Sequence, residues 1–129
     1  MGNCLVLLTK VYPFDKGEEF IEDEIKELSN AFDKVILIAT STADNAVMTR
    51  KVPENFEVHR IKSSFIKKKI IKNSIKLFCT GQDKEYISKD EKYDVKGSLK
   101  KRVYLEYFIA KGLSVYDECM NILNKTDIL

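Results

Sequence analysis

Two apolar runs on either side of an amphipathic segment constrain this chain more than any other feature. Cys4-Leu5-Val6-Leu7-Leu8-Thr9 and Val35-Ile36-Leu37-Ile38-Ala39-Thr40 show no polar alternation, the pattern of strands buried on both faces of a parallel sheet. Between them Phe20, Ile21, Ile25, Leu28 and Phe32 recur at helical spacing from Glu18 onward, and Asp33-Lys34 closes the segment. Glu18, Glu19, Glu22 and Asp23 crowd its first turns, where negative charge suits the helix dipole. Strand, helix and strand within about forty residues make a βαβ unit, whose crossover is right-handed almost without exception.

The rest of the chain extends this unit. Residues 10–17 form a loop punctuated by Pro13 and Gly17, and residues 41–55 form a second, polar loop with Pro53 near its end. Phe56-Glu57-Val58-His59-Arg60-Ile61 predicts a third strand, less apolar and therefore nearer an edge. Residues 65–78 predict a helix with Ile66, Ile70, Ile71, Ile75, Leu77 and Phe78 on a broad apolar face. Residues 80–97 are highly polar, with Tyr86, Ile87 and Tyr93 as anchors, and fit either a loop or a weak helix. From Ser98, a good N-cap, a helical pattern runs to about Asn124, with Leu99, Val103, Phe108, Ile109, Leu113, Tyr116, Met120 and Leu123 on its apolar side. Gly112 stands where that helix would kink or split. The expected architecture is a single α/β domain, a small parallel sheet flanked by helices, of Rossmann-like type. Residues 124–127 look like a turn and Ile128-Leu129 like the opening of a fourth parallel strand, so the chain is expected to be truncated in mid-architecture.

Composition bears on what such a domain can do. At 129 residues, 44% apolar and 33% charged, the chain can bury one core. A net charge of +2 does not by itself imply nucleic-acid binding. No apolar run approaches the roughly 18 residues of a membrane span. Met1-Gly2-Asn3-Cys4 hints at myristoylation, but Val6 stands where that motif wants Ser or Thr. Cys4, Cys79 and Cys119 are far apart in sequence, which predicts buried, reduced thiols and a cytoplasmic location. With His59 the one histidine and no CxxC pair, no metal site is expected, and neither is nucleophilic catalysis of Ser-His-Asp or Cys-His type.

The first loop draws most attention. Ligands of open parallel sheets bind beyond the C-terminal ends of the strands, where residues 10–17 lie. Gly17 allows positive φ or a close backbone approach, and N–H groups at the helix start can donate to a hydroxyl or phosphate. Glu18, Glu19 and Glu22 repel an anion and suit polyol hydroxyls instead. With Gly17 the one glycine in the loop, this is neither a GxGxxG nor a P-loop fingerprint, and no cofactor is expected. The same residues also fit a plain turn leading into a helix start.

Tyr12-Pro13-Phe14-Asp15-Lys16-Gly17-Glu18-Glu19-Phe20-Ile21-Glu22-Asp23-Glu24-Ile25-Lys26-Glu27-Leu28, followed by Phe32-Asp33-Lys34-Val35-Ile36-Leu37-Ile38, resembles the opening of bacterial glycosyltransferases of family 4. There a first strand leads into a YPxxxGExFIExEIxxL stretch and then FDKVxII. The resemblance covers residues 4 to 40. It implies the N-terminal, acceptor-side half of a GT-B architecture in polysaccharide biosynthesis, with Tyr12, Lys16, Gly17, Glu18 and Glu19 as an acceptor-binding loop. A glycan or lipid-linked molecule would be the acceptor. The nucleotide-sugar and the paired glutamates that hold it would belong to a C-terminal domain absent here. This chain alone is then expected to be inactive, and no catalytic residue can be named.

One basic stretch stands apart. Arg60, Lys62, Lys67, Lys68, Lys69, Lys72 and Lys76 have no acidic residue among them and interleave with Phe65, Ile66, Ile70, Ile71 and Ile75. Three readings remain open: a solvated helix face, peripheral contact with the inner face of an anionic membrane through Lys67, Lys68, Lys69, Lys72 and Lys76, and nucleic acid, which sparse aromatics disfavour. Apolar surface left uncovered in a severed half would favour a homodimer. A non-enzymatic α/β regulatory or scaffolding module is the alternative function. A phosphoreceiver is disfavoured because Lys10-Val11-Tyr12, not clustered acids, follows the first strand.

Overall fold

The computed structural model describes residues 2–81 and 99–126, so Tyr86, Ile87, Tyr93, Ser98 and the pair Ile128-Leu129 lie outside the described residues. In chain order the elements are β1 (Cys4–Thr9), α1 (Phe20–Ala31), β2 (Lys34–Thr42), β3 (Phe56–Lys62), α2 (Ser63–Thr80) and α3 (Leu99–Asn124). The three strands make one parallel sheet in the order β1-β2-β3. Leu5 lies beside Val35 and Leu7 beside Leu37, while Val35 also lies beside Phe56. The chain is thus α/β and Rossmann-like in type, with α1 packed on a three-stranded parallel sheet. Central β2 is buried throughout Val35, Ile36, Leu37, Ile38 and Ala39, and β3 takes the edge that its mixed composition predicts.

The contacts sort into two units, residues 1–65 with 118–129, and residues 66–117. In the first, Leu5, Leu7, Val35, Leu37, Phe56 and Val58 on one sheet face meet Ile21, Ile25, Leu28 and Phe32 of the α1 segment. β1 is not buried on both faces as its apolar run predicts. Val6 is 39% and Leu8 53% exposed, because β1 is an outer strand and these alternate residues point away from the core that α1 covers.

α1 starts at Phe20 rather than Glu18. Gly17 and Glu18 have φ of 122° and 58°, backbone that cannot enter a right-handed helix. At its other end the Asn55 side chain donates to the carbonyls of Ser29 (3.0 Å) and Phe32 (2.8 Å) and accepts from the Ser29 hydroxyl (2.7 Å). Carbonyls that a helix end leaves open are thereby satisfied from the connection into β3.

The second unit joins α2 and α3 through a seam that the apolar pattern does not predict. Glu106, Ala110 and Ser114 are the buried residues of α3 there, at i, i+4, i+8 spacing. Asn73 Nδ2 donates to Ser114 Oγ (2.8 Å), Ser114 Oγ to the Ala110 carbonyl (2.6 Å), and the Ser74 hydroxyl to Glu106 (3.4 Å). Ile66, Ile70 and Leu77 are buried on α2, whereas Ile71, Ile75 and Phe78, placed on the same apolar face by the sequence, are exposed. On α3, Val103, Phe108, Tyr116 and Met120 are likewise exposed, and Gly112 neither breaks nor splits the helix.

All three cysteines are free thiols, but they differ. Cys119 is buried, with burial and the Glu118 charge pushing its pKa up; Cys4 is half-buried; Cys79 is exposed near the end of α2, against the expectation of buried thiols. Among the described residues no helix is long and apolar enough to cross a membrane.

Because the seam is built from small side chains, Ala110→Leu is expected to cost about 1–3 kcal/mol through overpacking. Phe108→Ser, at an exposed position, is expected to stay within about 0.5 kcal/mol of the parent. Urea unfolding followed by circular dichroism measures both. The reverse order of costs would mean that the apolar stripe, not the Glu106–Ala110–Ser114 row, forms the seam.

Candidate functional site

The loop after β1 and the loop after β2 meet at the C-terminal ends of their strands. Thr40 Oγ1 donates to the Thr9 carbonyl (2.9 Å), the Ser41 N–H to the Lys10 carbonyl (2.9 Å), and Thr9 Oγ1 to the Tyr12 carbonyl (2.7 Å). Residues 10–17 then turn sharply, with a cis Tyr12-Pro13 bond and positive φ at Asp15, Gly17 and Glu18.

The turn folds back onto itself through Glu18. Its carboxylate accepts from the backbone N–H groups of Lys10 (2.8 Å), Val11 (3.0 Å) and Tyr12 (2.8 Å). Three successive amides that converge in this way form a nest of the kind that binds anions elsewhere, and here the chain supplies the anion itself. Burial works against the charged form of Glu18, but the N–H donors of Lys10, Tyr12 and Val11, with the Lys10 ammonium, outweigh it and hold the carboxyl below its ordinary range. Glu18 is therefore not one of the acids in the helix's first turn; Glu22 and Asp23 hold that place.

Arg50, from the second loop, ties the turn down from outside. Its guanidinium donates to the carbonyls of Gly17 (2.7 Å) and Asp15 (3.2 Å), pairs with Glu22 (2.9 Å), and lies 5.0 Å from the centre of the Tyr12 ring. Thr49 Oγ1 donates to the Asp15 carbonyl (2.9 Å), and Phe14 bridges Met48 in antiparallel fashion. Arg60 repeats the theme, donating to the carbonyls of Ala43 and Ala46 (3.2 Å each) beneath the Phe14 ring. Arg50 does not stand out in the sequence, where it is only a cation in a polar loop, while Arg60, read as part of the third strand and of the basic stretch, turns out to hold the carbonyls of the second loop.

The five residues singled out in the first loop thus occupy different settings. Tyr12 is 1% exposed, a core residue against Ile21, Val35 and Leu37. Burial and the Glu22 carboxylate push its phenol pKa up against the pull of Arg50. Gly17 and Glu18 are half-buried and shape the turn, while Lys16 and Glu19 face solvent. Beside them Met48, Thr49, Arg50, Lys51 and Val52 line an open depression of about 540 Å³. His59 lies on β3 within 2.7 Å of Glu57, which also pairs with Lys34 (3.0 Å); Lys34 and then His59 hold the Glu57 carboxyl below its ordinary range. Among the described residues no group of Cys, His, Asp and Glu is placed to hold a metal ion. Of the lysines singled out on α2, Lys67, Lys68, Lys72 and Lys76 are exposed, while Lys69 is partly covered and sits 4.0 Å from Asp117.

A carboxyl whose pKa is lowered on folding stabilises the protein above its unfolded pKa of about 4.3, and that stability disappears as pH falls through the folded value. Glu18→Gln is accordingly expected to be about 1–3 kcal/mol less stable than the parent at neutral pH, with the gap closing below about pH 4. Urea midpoints of both proteins at pH 7 and pH 3 measure it. An equal gap at the two pH values would mean that the charge of Glu18 does not hold the turn. Gly17→Ala places a Cβ at an ordinary 3.6 Å from Val11, so its cost is the backbone strain of positive φ, about 1–3 kcal/mol.

No protein-family profile, characterised protein or solved structure matches this chain, which leaves its function to be inferred from the residues and their geometry.

Proposed function

We propose that this chain is the acceptor-side domain of a GT-B glycosyltransferase in polysaccharide biosynthesis. It binds a glycan or lipid-linked acceptor, and a separate C-terminal domain holds the nucleotide-sugar. The observation that carries this reading is the Glu18 carboxylate in the nest of Lys10, Val11 and Tyr12 amides. A loop that binds a nucleotide phosphate keeps such amides open to its ligand. Here they are filled by Glu18, and the neighbouring Glu19 and Glu22 carboxylates are engaged by Arg50 (4.0 and 2.9 Å). What remains at the rim is the Lys16 ammonium, the Glu19 carboxylate and the open depression along residues 48–52, groups that donate to and accept from neutral hydroxyls.

Two further features support the reading. The loop lies at the strand ends where open α/β sheets take their ligands. Among the described residues the main-chain edge of β1 pairs with no further strand, and it is there that a doubly wound sheet adds its next one. A cytoplasmic location belongs to the same reading, since three cysteines without a CxxC pair suit a reducing compartment.

The purified 129-residue protein is expected to transfer no sugar from any nucleotide-sugar, and turnover in a radiolabelled donor panel would sink the proposal. Glycan fragments of bacterial polysaccharides are expected to shift the amide resonances of Lys16, Gly17 and Glu19 in nitrogen-labelled protein. Lys16→Ala with Glu19→Ala is expected to weaken that binding at least tenfold with the melting temperature unchanged, since both side chains face solvent. No glycan response, or shifts confined to other regions, would remove the acceptor assignment.

A further inference from the structure

We infer that the outer face of α2 is a docking surface for an anionic lipid bilayer. The inference is independent of the transferase reading, since it needs no sugar site. It starts from where the α2 side chains point. Ile66, Ile70 and Leu77 take the buried side of the helix. On the opposite side Ile71 and Ile75, one helical turn apart, are 61% and 60% exposed. Lys67, Lys68, Lys72 and Lys76 are exposed around them, and α2 contains no acidic residue.

The charge decides the kind of partner. A second copy of this face would set these lysines against their own counterparts, and like charges brought together oppose association. A neutral protein surface would leave four ammonium groups to be desolvated without partners. An anionic headgroup layer supplies the opposite charge in a plane, while the acyl boundary beneath it accepts the isoleucines. Lysine stems span that distance, with apolar carbons lying along the isoleucines and ammonium groups reaching the phosphates.

The pairing of α2 with α3 in the same unit points the same way. Alongside the buried Ile66, Ile70 and Leu77, the hydrogen-bonded row of Asn73, Ser74, Glu106, Ala110 and Ser114 joins the two helices, while Tyr104, Tyr107 and Phe108 of α3 are exposed. Exposed tyrosines such as Tyr104 and Tyr107 suit the headgroup level, where an amphipathic ring finds both environments. Because no described helix is long and apolar enough to cross, the contact is with the surface of the bilayer.

Flotation of the full chain with vesicles tests the inference. Vesicles of phosphatidylcholine with about one third phosphatidylglycerol are expected to carry the protein, and pure phosphatidylcholine vesicles are not. Raising NaCl from 0.1 to 0.5 M is expected to release most of it. A lysine at an anionic surface contributes about fivefold in partition, so Lys68→Gln with Lys72→Gln is expected to weaken binding about 25-fold. Ile71→Ser with Ile75→Ser is expected to weaken it further at high salt, where only the apolar contact remains. Circular dichroism matching the parent shows that each variant is folded. Absence of binding, equal binding to neutral and anionic vesicles, or a stable dimer in sedimentation that Ile71→Ser with Ile75→Ser dissociates would each overturn the inference. The last result would assign the face to a second copy.

Discussion

The turn at the sheet's C-terminal edge depends on one carboxylate. Glu18 accepts from three consecutive amides, and those amides belong to the residues through which the chain leaves β1. If the carboxylate were absent, Lys10, Val11 and Tyr12 would present unpaired N–H groups, two of them in partly buried positions, at about 1–3 kcal/mol for each donor left without water. The positive φ values at Gly17 and Glu18 are the backbone's route to placing that carboxylate, and they set where α1 can begin. Position of the turn, start of the helix and burial of Tyr12 in the core are consequences of the same contact.

Arg50 extends this order to the second loop. A planar fork that reaches two carbonyls and a carboxylate while lying over an aromatic ring cannot be reproduced by lysine, which is a point charge on a flexible stem. The result is a pair of strand-end loops fixed to each other by side chains bound to main-chain carbonyls. Loops held in one shape before a ligand arrives suit neutral, strongly hydrated molecules, because each hydroxyl contact returns little beyond what it gave up in water.

Much of the fold was legible because βαβ patterning depends on burial, and burial is written in side-chain polarity. Val35, Ile36, Leu37, Ile38 and Ala39 announce a central strand, and the helical spacing of Ile21, Ile25 and Leu28 announces the face that covers it. The site was legible only as a location. Gly17-Glu18 signals a special turn, but nothing in a linear pattern says that Glu18 looks backward to Lys10 instead of forward to a ligand. Nor does Tyr12 in a loop announce a core residue. Arg50 and Asn55 were not legible at all, since their roles come from carbonyls brought near by tertiary structure. The extent of β1 burial was overread for a related reason: an apolar run says that both faces can be buried, not that both have something to be buried against.

The α2–α3 pair shows the limit of apolar patterning most sharply. The rule that apolar residues mark the inward face presumes water on the outside, and it assigns Ile71, Ile75, Phe108 and Tyr116 to a core. The helices instead meet through Ala110 and Ser114, because small side chains allow two backbones to come close and hydroxyl and amide groups can satisfy one another there. Once that close seam is made, Ile66, Ile70 and Leu77 stay buried while Ile71, Ile75, Phe108 and Tyr116 are left on the outside. Burying Ile71 and Ile75 on the seam would push the helices apart and leave Asn73 and Ser114 without each other. The exposed apolar surface is therefore a consequence of how the pair is joined, and the exposed Lys67, Lys68, Lys72 and Lys76 surround its α2 part. A partner that fits must accept both the isoleucines and the charge, and a planar anionic surface with an apolar layer beneath does so without requiring the protein to change shape.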